Sequence, residues 1–167
     1  MKNLEKQRVR GQRRKGNLLV KRIQEILPFR DTSGLYEHFH VPCGPFIQHP
    51  KTSGRIKTAF AEAWLKKTEE ILRAKPGELP FCKVTAIIKE PYFWESQIII
   101  FYDEKYYESF WKRNREDQVW KHSNVEGSFL KQRNLSVMLP EKAIQEVIYD
   151  ENRIRKSTLW IYGEFPE

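Results

Sequence analysis

A chain of 167 residues, 40% hydrophobic and 13% aromatic, is long enough to bury a core and too apolar to remain disordered, so one folded domain is expected. Its net charge of +8 sits in one place: residues 1–22 hold nine Lys or Arg against one acid, leaving 21 bases and 21 acids for the rest. Cys43 and Cys82 stand alone, which excludes a disulfide framework and fits a reducing cytoplasm, and the longest apolar run, residues 98–102, is too short to cross a bilayer.

Along the chain, Leu18, Leu19, Ile23, Ile26 and Leu27 recur at helical spacing and predict a docked helix capped by Asn17 and stopped by Pro28. Traced backwards, the stripe meets Lys15, Gln12 and Arg8, so residues 1–16 read as a basic arm or helical extension and residues 17–167 as a single α+β domain. Arg13, Arg14 and Lys15 would oppose the dipole of a helix that began beside them, which favours an earlier helix start or an arm that leaves the body. The basic start has no signal-peptide core, and its first hydroxyl residue is Thr32, so no targeting segment is expected.

Residues 28–54 are rich in Pro and Gly, with a strand-like alternation over 36–41. A long helix is expected from about Ser53 to Ala74, with Phe60, Trp64, Leu65 and Ile71 on its apolar side and Pro76-Gly77 as its stop. Strands follow over 81–89 and 95–102, rich in β-branched and aromatic residues. Asp103 is placed to cap a helix through Trp111, with Tyr106, Tyr107, Phe110 and Trp111 on one side. Residues 112–135 read as irregular and polar, and 144–149 with 158–162 as a final hairpin. Without a βαβ rhythm, these elements predict an α+β fold. Its core is a mainly antiparallel sheet of about four to five strands, packed with two or three helices and led by a basic N-terminal helix or arm.

No Walker A, GxGxxG, HExxH or GxSxG pattern occurs, and no cofactor is expected. In "YEHFHVPC", His38 and His40 fall on one strand face about 7 Å apart, with Cys43 or His49 as a third metal ligand. The competing reading is two strand histidines beside a buried structural thiol. As a nucleophile Cys43 would need a neighbouring cation, a base or a helix start, and Pro42, Gly44 and Pro45 give a rigid turn instead. In "KEPYFWES", Tyr92, Phe93 and Trp94 cannot all face one side of an extended chain, so at least one ring is expected outside the core, as a partner anchor or a cover for the sheet edge. Lys112, Arg113 and Arg115 near Trp111 and Trp120 mix bases with aromatics, but Glu116 and Asp117 neutralise them at once. Arg8, Arg10, Arg13, Arg14 and Lys15 are the candidates for nucleic acid or another polyanion.

Trp94, Ser96-Gln97-Ile98-Ile99, Phe101, Phe110 with Arg113-Asn114, the ending Leu159-Trp160-Ile161-Tyr162-Gly163-Glu164, "HFHVPC" and the Arg-rich start resemble a family of small, Bacillus-like bacterial proteins classified only as a domain of unknown function. The resemblance implies a cytosolic protein of Gram-positive bacteria and carries no activity or catalytic residue with it. Small proteins of this kind often neighbour secreted polymorphic toxins, which brings an immunity role into view by association. The leading expectation is therefore a non-catalytic binding protein, acting in immunity or regulation through a protein partner at Tyr92, Phe93 and Trp94. The alternative is nucleic-acid binding through the basic N-terminus; a third is an enzyme centred on His38, His40 and Cys43. No membrane association is expected.

Overall fold

Apolar spacings of three to four and of two become helices and strands in the computed structural model. It describes residues 2–43, 46–47, 51–90, 93, 96–116, 120–122, 143–148 and 155–166, and of these it describes the backbone alone for 2–10, 90, 114–116, 120–122, 143–148 and 155–159. In chain order the described elements are α1 (Lys2–Gln24), β1 (Tyr36–His40), α2 (Gly54–Arg73), β2 (Lys83–Glu90), β3 (Gln97–Phe101), α3 (Glu104–Glu116), β4 (Trp120–His122), β5 (Ala143–Ile148) and β6 (Arg155–Gly163). The strands form one six-stranded sheet in the order β1-β3-β2-β6-β5-β4, with every neighbouring pair antiparallel. The fold is α+β, as expected.

Because side chains alternate along a strand, the sheet has two faces, and both are covered. Val84, Ala86 and Ile88 of β2, Ile98 and Ile100 of β3 and Trp160 of β6 pack beneath α1 and α2. Helix α1 and the turn after it contribute Leu19, Ile23 and Ile26, and α2 contributes Phe60, Trp64, Leu65 and Ile71. On the other face Ile87, Ile99, Phe101 and Ile161 meet Tyr107 and Trp111 of α3. A central strand buried on both sides favours apolar residues on both faces, and β3 reads as the unbroken run Ile98-Ile99-Ile100-Phe101.

Local chemistry sets the ends. Asp103 accepts a 2.7 Å hydrogen bond from the Tyr106 amide at the start of α3, the expected cap. The Ala74 amide closes α2 by bonding back to the carbonyls of Glu70 and Ile71, just before Pro76. At the end of β6, Gly163 takes φ +95° and lies so close to the Val84 carbonyl that a Cβ has no room. This turn brings Glu164 back onto β2: its amide donates to the Val84 carbonyl at 2.7 Å, and its carboxylate accepts from the Val84 amide at 3.0 Å.

Several expectations change. Asn17 caps nothing: α1 runs unbroken through it from Lys2, so the extended start is helical and the cations at 13–15 lie mid-helix, away from the unfavourable terminus. Leu19, Ile23 and Ile26 are buried, whereas Leu18 and Leu27 face solvent. The buried stripe also continues backwards through Gly16. An added Cβ there would lie 2.8 Å from Cγ2 of Ile56, so the missing side chain is what lets α1 approach α2. Gln12 strengthens the dock by donating to the Lys51 carbonyl at 3.4 Å. Helix α3 continues to Glu116, and a sixth strand, β4, crosses the segment that reads as irregular. The final hairpin forms, with Ala143 opposite Trp160 and Ile148 opposite Arg155.

Candidate functional site

Once its apolar stripe is spent on α2, α1 presents cations elsewhere around its circumference. Arg13, Arg14, Lys15, Lys21 and Arg22 are all exposed, and among the described residues the acid paired with them is Glu25, 3.5 Å from Lys21. Arg8 and Arg10 belong to the same helix, with their side chains outside the described residues. Among the described residues, two clefts flank the helix. One, of about 600 Å³, runs between α1 and the start of α2, with Arg13, Gly16 and Asn17 on one wall and Lys51, Arg55 and Ile56 on the other. The second, of about 480 Å³, has Lys15 and Arg22 above a floor of Leu19, Cys43 and Phe46. Lys15 Nζ stands 5.8 Å from the centre of the Phe46 ring, within cation–π reach. Among the described residues, no acid lines either cleft.

The other candidates separate. His38 and His40 share the exposed face of β1, with ring centres 6.5 Å apart, and His38 Nε2 lies 2.5 Å from Oε1 of Gln97. Cys43 is buried instead, and burial pushes its thiol up to about 11; a thiol held protonated is a poor nucleophile and a poor metal ligand. Among the described residues no three His, Cys, Asp or Glu side chains come together to hold a metal ion; His49 lies outside them. Phe93 is core, packed edge-on against Phe60 at 6.0 Å, and Tyr92 and Trp94 lie outside the described residues. Of the basic-and-aromatic segment, Trp111 packs into the sheet while Lys112 and Arg113 are exposed, and Arg115 and Trp120 have no described side chain.

Elsewhere acids are committed to fixed partners. Glu37 accepts from three successive amides, those of Phe29, Arg30 and Asp31, at 2.8–3.0 Å. Phe29 takes the left-handed φ of 60°, and this bent run is an anion-binding concavity filled by the chain's own carboxylate. Burial, and then Glu37, raise the neighbouring Tyr102 hydroxyl well above its usual value. Glu69 accepts from Tyr162 at 2.9 Å and from Arg73 at 3.3 Å, while burial, with help from Glu69, raises Tyr162.

Glu164 is held by Lys75 at 2.9 Å and by Lys83 at 3.4 Å. Burial works to raise its carboxyl. The Lys75 and Val84 hydrogen bonds and the two ammonium charges outweigh that and hold it below the ordinary value.

Sequence spacing finds the α1 cations but not Lys51 and Arg55, which reach the cleft from nearly forty residues away and carry no motif. The one local signal for the cleft is Gly16, an interruption of a helical stripe that marks close approach rather than a gap.

No curated protein and no solved structure matches the chain. The model of a protein family described as "Protein of unknown function (DUF3916)" matches residues 19–164, from Leu19 of α1 to the carboxylate clamped onto β2. With the sheet, α2, α3 and the Glu164 clamp inside that match, and α1 inside it from Leu19 onward, the chain belongs to the DUF3916 family.

Proposed function

We propose that this is a non-catalytic binding protein of the bacterial cytosol that holds nucleic acid by its phosphates through α1. The observation that carries the reading is the asymmetry of that helix. Its apolar side is consumed by α2, and its remaining surface offers Arg13, Arg14, Lys15, Lys21 and Arg22 beside clefts that also contain Lys51 and Arg55. Two clusters of exposed cations on one helix, at 13–15 and 21–22, offer charge to a phosphate chain, and each one that neutralises a phosphate releases a counterion. A basic helix that inserts in a lipid surface needs a free apolar face, and of the described leucines and isoleucines of α1, Leu19 and Ile23 are in the core and Leu18 alone is exposed. The cytosolic, bacterial setting is supported by the resemblance to Bacillus-like proteins and by two cysteines that remain free thiols. Phe93, the described member of the aromatic trio, is packed inside and gives a protein partner nothing to grip.

The test is the affinity for a short duplex and for a single strand across a series of salt concentrations. Five phosphate contacts give a slope of log K against log salt of about −4.5 on duplex DNA, and Arg13→Gln/Arg14→Gln/Lys15→Gln makes it shallower by about 2.7. A slope that the triple variant leaves unchanged overturns the reading, as does binding to anionic vesicles in preference to either nucleic acid.

A further inference from the structure

We infer that Tyr36 and Tyr106 are a site of oxidative modification, at which a one-electron oxidant of the haem peroxidase and hydrogen peroxide class couples the two rings into a dityrosine that ties β1 to α3. The rings are stacked, with centres 4.7 Å apart and planes 5° from parallel. One belongs to the edge strand of the sheet and the other to the helix covering one sheet face. The contact therefore joins residues far apart in the chain. Tyr36 is 45% exposed, open to an oxidant in solution, and Tyr106 is half-buried behind it.

The backbone holds both rings in place. The ladder sets Tyr36 opposite Phe101, and the Tyr102 amide donates to the Leu35 carbonyl at 2.9 Å, fixing the strand just before the ring. On α3, the Tyr106 amide donates to Asp103 at 2.7 Å, which anchors the turn that carries the second ring. That ring also packs against Phe101, with centres 6.2 Å apart. Burial, and then the hydrogen bond to Tyr36, raise the Tyr106 hydroxyl above its usual value. The two hydroxyls are thus neighbours, and so are the ring carbons beside them, where a phenoxyl radical carries much of its unpaired electron. Neither thiol competes: burial raises both Cys43 and Cys82, and a thiol that stays protonated reacts slowly with peroxide.

The coupling balances. Each phenol gives one electron and one proton, and together they reduce one hydrogen peroxide to two waters. The two phenoxyl radicals join through one carbon beside each hydroxyl, and the hydrogen on each of those carbons moves to the oxygen as the rings become aromatic again. The product closes a long loop of the chain with a bond that thiol reductants do not break. It acts on the face of the sheet opposite α1, so it stands apart from the nucleic-acid reading.

The experiment oxidises the dilute protein with a haem peroxidase and limiting hydrogen peroxide, and follows dityrosine by its fluorescence and by mass spectrometry of peptides. Wild type is expected to form dityrosine about tenfold or more faster than Tyr36→Phe or Tyr106→Phe, because its rings need not meet by diffusion. Each variant loses only a hydroxyl and keeps the ring, and its unfolding midpoint before oxidation checks that it is folded. The wild-type product is a single chain lighter by two hydrogens, with one peptide pair joined through Tyr36 and Tyr106. Its unfolding midpoint rises by about 10 °C, as expected for closure of a long loop. Dityrosine that forms as fast in either variant, or that joins two chains rather than one, overturns the inference. So does the absence of dityrosine.

Discussion

Two groups of cations in this molecule have opposite surroundings. Lys75 and Lys83 converge on Glu164, a carboxylate about three-quarters buried that also takes the Val84 amide and closes the end of β6 onto β2. Arg13 and Arg55 line an open cleft, with no acid among its described lining residues. The first group carries its own counterion and acts on the fold; the second faces solvent. The contrast teaches that a cation's role is set by what faces it, since these residue types look alike in the sequence.

Removing the internal counterion gives the largest expected effect. Glu164→Gln leaves Lys75 without its charged partner in a partly buried site, at a cost of about 2 kcal/mol by urea unfolding, while oligonucleotide affinity stays as in the wild type. The same clamp predicts a pH dependence. Glu164 is held below its ordinary value in the folded chain, so its contribution is present at neutral pH and is lost as pH falls through that depressed value. The stability gap between wild type and Glu164→Gln therefore narrows on acidification; a gap that stays constant between neutral and acid pH would show that the carboxylate charge is not what holds the clamp.

A smaller effect comes from the contact that shapes the cleft. Gly16→Val forces α1 away from Ile56, costing about 1 kcal/mol after the gain in helix propensity. An unchanged urea midpoint would show that the missing side chain at Gly16 is not what sets the approach of the two helices.

Much of the frame is legible in the amino-acid sequence, and the rest is hidden for identifiable reasons. The apolar spacing of Phe60, Trp64 and Ile71 places α2 to within a residue, since burial enforces the period, and Asp103 is visible as a cap because capping is local. Gly16 is misleading in a hydrophobic pattern: it scores as a break, yet it is buried because it is small. Leu18 and Leu27 mislead in the other direction, being apolar but turned outward. The three-residue strand β4 lies in a polar stretch, where pairing with β5 rather than side-chain alternation defines it. The candidate site is half legible. Its α1 cations stand out as a run, whereas Lys51 and Arg55 join them only through the packing of α1 on α2. Glu164 and Lys75, 89 residues apart, are equally silent until the chain folds.

The central claim is that the position of the cations on α1, rather than the overall charge of the chain, makes the binding surface. Fluorescence anisotropy of one labelled oligonucleotide at fixed salt tests it with two double variants that each remove two exposed charges. Arg13→Gln/Arg14→Gln takes them from α1, and Lys66→Gln/Lys105→Gln takes them from the exposed sides of α2 and α3. The account predicts a loss of affinity of about tenfold or more for the first pair and less than a twofold change for the second. Equal weakening by the two pairs would contradict it.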